Sequence, residues 1–228
     1  MASTYVLLTG FEPYGGRSSN PAYEVMRALD GKELAGASIV GRALPVSCAS
    51  LPDKISSLLD DIDPIVALSL GLWPGEPVIR LERLATNVAD FEIADNLGQI
   101  VTDQPLIPGG ATSLPATLPL RQIEQALLRQ GIPARLSGTA GSFLCNACVY
   151  YFLHAATFRP MPPLAGFLHL PYLPSQVADL IAETRQEGRL ELHQRADLAS
   201  MDINLATRAV ETTLAVSIAA SRERVARS

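Results

Sequence analysis

The side chains in this sequence that can do covalent chemistry near neutral pH are thiols, imidazoles and carboxylates in unusual company. Two of the three cysteines, Cys145 and Cys148, stand three apart in the apolar run GSFLCNACVY. Such a pair reads as a redox couple, as half of a metal site, as one nucleophile with a bystander, or as core. A thioredoxin-like couple wants its first thiol exposed at a helix start, whereas LCNACVYY carries apolar bulk on both sides. A zinc site wants a second ligand pair at finger or ribbon spacing, and one CxxC does not provide it. A nucleophile and a small apolar filler are the two stronger readings of Cys145, and position alone leaves both open. Cys148 and Cys48 read as core.

The chain has three histidines. His169 closes the apolar run AGFLHL just before Pro171, which puts it at the carboxyl edge of a strand, where an imidazole can take a proton from a thiol. Taken alone, such a residue also reads as a hydrogen-bonded core histidine. His154 lies deeper along the segment that carries Cys145, and His193 lies in the polar stretch LELHQRAD, which reads as surface. Glu82, flanked by Arg80 and Arg83 in IRLERLATN, reads from charge alone as part of a surface ion pair. The loop GFEPYGG lacks the Lys-Ser/Thr end of a P-loop and the GxGxxG spacing; its two aromatics between glycines look like the lip of a pocket for something flat and apolar.

The elements that must position these groups follow from the apolar pattern. YVLL at residues 5–8 is a continuous apolar run ending in Thr9-Gly10, the pattern of a strand buried on both faces. Asn20-Pro21 supplies an N-cap and a proline at the first helical position, and Val25, Met26 and Leu29 continue a helical stripe. Strands follow near 38–46 and at 65–72, with a helix near 50–61 between them. The rhythm breaks at about 73–118, an irregular insertion rich in Gly, Pro and Thr, within which IRLERLATN fits a short strand. It resumes with helix LRQIEQALLRQG, strand ARLSG, a helix from about Ser142 to Phe158, strand AGFLHL, and helices near 175–187 and 202–222. This alternation predicts an α/β fold: one domain over residues 1–228, a three-layer sandwich with a mostly parallel twisted sheet and helices on both faces. The ARLSG strand ending near Gly138 places Cys145 in the first turn of the next helix, where the dipole and free amides favour thiolate and can hold an oxyanion.

At 228 residues the chain can bury a large core without disulfides. The net charge of -5, from 18 Lys and Arg against 23 Asp and Glu scattered singly, offers no stripe for nucleic acid and no polybasic arm for a membrane. An odd cysteine count in so long a chain fits a reducing compartment. The opening MASTYVLLTG is too short for the ~7–15-residue apolar core of a signal peptide, so a cytoplasmic protein is expected.

Four stretches in order, VLLTGFEPYGGRSSNPAYEV, RLERLATNVADFEIADNLGQ, GTAGSFLCNACVYY and GFLHLPYLPSQ, together resemble pyroglutamyl peptidase type I, a family of cytoplasmic cysteine peptidases. The resemblance covers nearly the whole chain. It implies a triad of Cys145 as nucleophile, His169 as general base and then acid, and Glu82 orienting the imidazole, with a thiolate–imidazolium window in the pH profile. It implies removal of N-terminal pyroglutamate from peptides through a thioester, without metal or organic cofactor, by a homo-oligomer (dimer or tetramer). By family position Phe11, Tyr14, Ile93, Phe143 and Leu144 line the lactam pocket, and Asn20 helps hold the substrate's amide groups. Three departures stand out. Tyr14 replaces a usual Phe, Leu72 a usual Gln beside a WPGEP run that is less glycine-rich than usual, and Glu92 an arginine associated with the oxyanion site. A negative charge at 92 would oppose an oxyanion. The alternative these departures raise is a weakened or inactive relative that binds pyroglutamyl ends or other lactams without cleaving them.

Overall fold

The structure, a computed structural model, describes residues 4–187 and 198–227; His193 lies outside the described residues. Strand β1 (Tyr5–Phe11) is the apolar run, buried from Val6 onward. Helix α1 (Pro21–Leu29) starts as its sequence dictates: Asn20 is extended, its Oδ1 accepts from the Ala22 amide at 3.0 Å, and Pro21 spends no donor at a position where a donor would be orphaned. The chain continues through β2 (Glu33–Leu34), β3 (Ala37–Leu44), α2 (Leu51–Ile62) and β4 (Val66–Leu72). Then come β5 (Ile79–Glu82), β6 (Leu84–Thr86), β7 (Ser113–Pro115), α3 (Leu120–Arg129), β8 (Ala134–Ser137), α4 (Leu144–Thr157), β9 (Leu164–Leu170), α5 (Pro174–Glu187) and α6 (Ile203–Arg227).

Seven strands form one sheet in the order β2-β3-β1-β4-β9-β5-β8, and β6 pairs with β7 separately. Strands β3, β1, β4 and β9 are parallel, as the alternation predicts. β5 runs antiparallel to β9, and β8 follows β5. The cause is chain length. Only residues 73–78 separate β4 from β5, too few for the dozen or more residues of a parallel crossover, so β5 must start at the edge where β4 ends. The stretch read as an irregular insertion therefore supplies a strand of the main sheet.

Side chains alternate between two cores. Val6, Leu8, Leu68, Leu70, Ile79 and Leu81 face α1, α3 and α6; Leu7, Ala67, Ala165 and Phe167 face α2 and α4. The three layers are those expected. By the same alternation Arg80, Glu82, Gly71 and His169 all point to the α4 side. Since β8 runs against β4 and β9, its end does not deliver the helix start directly; residues 138–143 return the chain to the carboxyl edge of β4 and β9, with Gly141 at φ 81° making the turn.

Close approach of α1 to β1 depends on Gly10, where a Cβ would lie 2.3 Å from the Ala22 carbonyl oxygen. Gly10→Ala is expected to destabilise the chain by about 1–3 kcal/mol in urea unfolding, because a backbone atom must move; unchanged stability would contradict this packing.

Candidate active site

Cys145 is the second residue of α4. The N-cap, Phe143, is extended and supplies no capping side chain, so the first-turn amides are left for a ligand. Three attachments fix this turn. Asn146, fully buried, donates to the Thr86 and Val88 carbonyls at 2.9 Å each and accepts from the Thr86 amide at 2.8 Å. The Ser142 hydroxyl donates to the Asp90 carbonyl at 2.7 Å. Beneath the thiol lies Gly71, where a Cβ would stand 2.8 Å from Cys145 Sγ. Gly71 is the cross-strand partner of His169, so the sulfur packs over the rung of the sheet that carries the imidazole.

His169 is 1% exposed, and its Nδ1 lies 2.8 Å from Glu82 Oε1. A carboxylate only accepts, so Nδ1 carries the proton and Nε2 is left as the acceptor. Phe167 and Trp73 pack on the ring, with centroids 4.8 and 4.9 Å away. Glu82 is fully buried behind His169, not in the cavity wall, and it also accepts from Arg80 Nε at 3.0 Å. The surface ion pair expected from charge alone is therefore a buried one. Alternation in IRLE carried that signal, since Ile79 and Leu81 on one face put Arg80 and Glu82 together on the other.

A cavity of about 310 Å³ collects Cys145, His169, Phe11, Tyr14, Asn20, Ile93, Phe143 and Leu144. Phe11, Val46, Leu72 and Leu144 give it a buried apolar floor, while Ile93 stands at an exposed rim with Asp90 and Glu92. Phe143 is held edge-on against Phe91, centroids 4.7 Å apart. Asn20 lines the cavity, but its Oδ1 is used by Ala22 and its Nδ2 donates to the Glu12 carbonyl at 3.1 Å, leaving one amide hydrogen for a ligand. Sequence reading missed Trp73, Asn146 and Gly71, none of which is a titratable residue type. Cys148, on the buried face of α4, has its thiol pushed up to about 12 by burial, the reverse of a redox-active cysteine. Cys48 is partly exposed at the margin of the core rather than within it. His154 stacks on Tyr150 away from the cavity.

Burial dominates both reacting groups. It raises the Cys145 thiol, with Cys148 and Glu82 adding to the rise. It lowers the His169 imidazole, against the hydrogen bond and charge of Glu82. Both shifts favour a neutral thiol beside a neutral imidazole, and they oppose the pull of the helix start toward thiolate.

A nucleophilic sulfur, an imidazole and a buried carboxylate on one edge of an α/β sheet are the components of a cysteine hydrolase. The chain belongs to the pyroglutamyl peptidase family, whose model matches residues 4–216. It is 40% identical over 178 residues to the pyrrolidone-carboxylate peptidase of Pyrococcus furiosus, covering 78% of this chain and 86% of that one. With the pyrrolidone-carboxylate peptidase of Chromobacterium violaceum it shares 43% identity over 171 residues, 75% of this chain and 79% of that one. The solved pyrrolidone carboxyl peptidase of Thermococcus litoralis superposes with a TM-score of 0.89 at 34% identity, covering 97% of this chain and 96% of that one. No helix among the described residues is long and apolar enough to cross a membrane.

Two outcomes test the site. Gly71→Ala, by displacing the sulfur or the Phe167 ring, is expected to slow alkylation of Cys145 by roughly tenfold or more and to lower stability by about 1–3 kcal/mol. In the unsubstituted chain, iodoacetamide alkylation of Cys145 is expected to climb with pH through the ordinary thiol value of 9.0. A rate plateau between about pH 5 and 7 would show a resting thiolate and contradict the neutral pair.

Proposed function

We propose that this protein is a pyroglutamyl peptidase that removes 5-oxoproline from peptide N-termini, with Cys145, His169 and Glu82 as its catalytic residues. The observation that carries the reading is the cavity, which sets a thiol and an imidazole into the wall of an apolar-floored slot. An ordinary N-terminal ammonium on that floor would lose its hydration with no buried carboxylate to meet it, a penalty on the order of several kcal/mol. The lactam of pyroglutamate carries no such charge. Phe11, Tyr14, Ile93, Phe143 and Leu144 supply its walls, and the free amide hydrogen of Asn20 is available to a lactam or peptide oxygen.

In the reaction, Cys145 Sγ attacks the pyroglutamyl carbonyl carbon while His169 Nε2 takes the thiol proton. Glu82 stabilises the resulting imidazolium through Nδ1–H, and the first-turn amides of α4 receive the oxyanion. Collapse breaks the C–N bond; the departing amine takes the proton from Nε2, leaving a thioester. Water then attacks, again losing its proton to Nε2, and thiol and pyroglutamate are regenerated. Glu92, exposed at the rim, leaves the oxyanion to the backbone amides. Assembly of copies into a dimer or tetramer and a cytoplasmic setting belong to the same reading, supported by the exposed Leu97 and Ile100 and by the free cysteines.

A fluorogenic pyroglutamyl amide is expected to be hydrolysed, with a prolyl amide cleaved far more slowly. Cys145→Ala should lower turnover by roughly four orders of magnitude, and His169→Ala by roughly two to four, with each variant still folded. Full turnover by Cys145→Ala would remove the nucleophile. A rise in melting temperature with pyroglutamate but no cleavage by the unsubstituted protein would instead support a lactam-binding relative.

A further inference from the structure

Behind His169 lies a largely buried charge network, of which the reaction above uses only Glu82. Arg80, 6% exposed, donates through Nε to Glu82 Oε1 at 3.0 Å, the same oxygen that holds His169 Nδ1. One of its terminal nitrogens, Nη2, donates to Ser137 Oγ at 2.7 Å and to the Thr139 carbonyl at 2.8 Å; the other, Nη1, reaches Glu76 Oε2 at 3.4 Å. Glu76 is itself clamped by Arg135 at 2.8 and 3.1 Å. The guanidinium carbon lies 3.6 Å over the Trp73 ring, which stands nearly perpendicular to the His169 ring at a centroid distance of 4.9 Å. Across the sheet Arg80 is the direct partner of His169 on β9 and of Arg135 on β8. A planar cation with five donors is suited to join these elements, and a lysine ammonium is not.

We propose that Arg80 is a positioning residue for the reaction proposed above. One guanidinium holds the Glu82 carboxylate on His169 Nδ1, backs the Trp73 ring against that imidazole, and ties down Thr139 in the segment that leads to Cys145. Strand β5, strand β9 and the nucleophile turn are thereby fixed to one rigid fork. Apart from His169 when its ring is protonated, Arg80 is the one cation in an ion pair with Glu82 among the described residues. Without it, the carboxylate is free to turn away from the imidazole, and the 138–143 segment loses its tie to β5. The inference rests on the peptidase reading, since it names what holds that site in register.

The groups facing His169 make the test specific. They are Glu82 and Arg80 from β5, Glu76 from the β4–β5 link, Cys145 from α4, and Arg135 on β8 acting through Glu76. In this set Arg80 opposes a proton on the ring and Glu82 and Glu76 favour it. Two variants separate fork from charge. Arg80→Met removes both; Arg80→Lys keeps a charge and loses the fork. With a pyroglutamyl amide, both are expected to lower kcat by about tenfold or more while KM stays within about twofold, the mark of misplaced catalytic groups rather than lost binding. Both variants should also move the acid limb of the kcat profile, and the NMR titration midpoint of His169, to lower pH. The Glu82 hydrogen bond and charge that favour the ring proton are loosened, and these outweigh the opposing Arg80 charge. A rise in Arg80→Met, the mark of an undisturbed Glu82–His169 pair that has merely lost a neighbouring cation, would overturn the proposal.

Unchanged kcat in either variant would overturn the proposal. So would a lower melting temperature with neither kcat nor the pH limb altered, which is the signature of a purely structural ion pair. If Arg80→Met does not fold, Arg80→Lys decides by its kcat, KM and pH limb. The unsubstituted protein and Cys145→Ala are run beside them. If the unsubstituted protein cleaves nothing, the peptidase reading has failed, and Arg80 is then judged by the His169 titration, whose midpoint must fall in Arg80→Met or, where that variant does not fold, in Arg80→Lys.

Discussion

One buried oxygen, Glu82 Oε1, accepts from both the imidazole of His169 and the guanidinium of Arg80. The site's geometry depends on this sharing. A carboxylate taken fully out of water is costly unless it is paired, and here the pairing partner is also buried. The arrangement fixes which nitrogen of His169 is protonated and so aims the acceptor lone pair of the other away from Glu82. Glu82 Oε2 is buried without a hydrogen-bond partner, so the single shared oxygen carries the orienting role.

The fold makes this sharing possible through a strand that runs the wrong way. Had β5 been parallel to β9, the short link from β4 could not have reached it. Because it is antiparallel, Arg80 stands directly opposite His169 and Glu82 two residues further along on the same face. Sulfur comes to the same rung from the other layer, allowed by the missing side chain at Gly71. The close fit has an electrostatic consequence. Burial opposes charge on both the thiol and the imidazole, which favours charge separation during attack over a resting ion pair.

Much of this was legible in the sequence, and the rest was hidden for physical reasons. Continuous apolar runs located β1, β4 and β9, and the Asn20-Pro21 pair located α1, because local sterics and capping decide those elements. The strand-edge argument singled out Cys145 and His169 while leaving a core reading open for each. For Cys145 its premise fails, because β8 ends at the opposite edge and residues 138–143 bring the helix start back. Glu82 came only from family resemblance, since a Glu between two arginines looks like any solvated pair until one knows that Ile79 and Leu81 bury the opposite face. The reversed direction of β5 and β8 could have been argued from the six residues between β4 and β5, but only with the strand order in hand. Trp73 and Asn146 act through long-range contacts, to Arg80 and to the backbone of residues 86–88, that no local pattern announces.

The claim that Glu82 sets the state of His169 is tested most directly by the nitrogen-15 shifts of the His169 ring in the free protein at neutral pH. The account predicts a neutral ring with its proton on Nδ1 and an unprotonated Nε2. A ring protonated on Nε2 alone, or on both nitrogens, would contradict it.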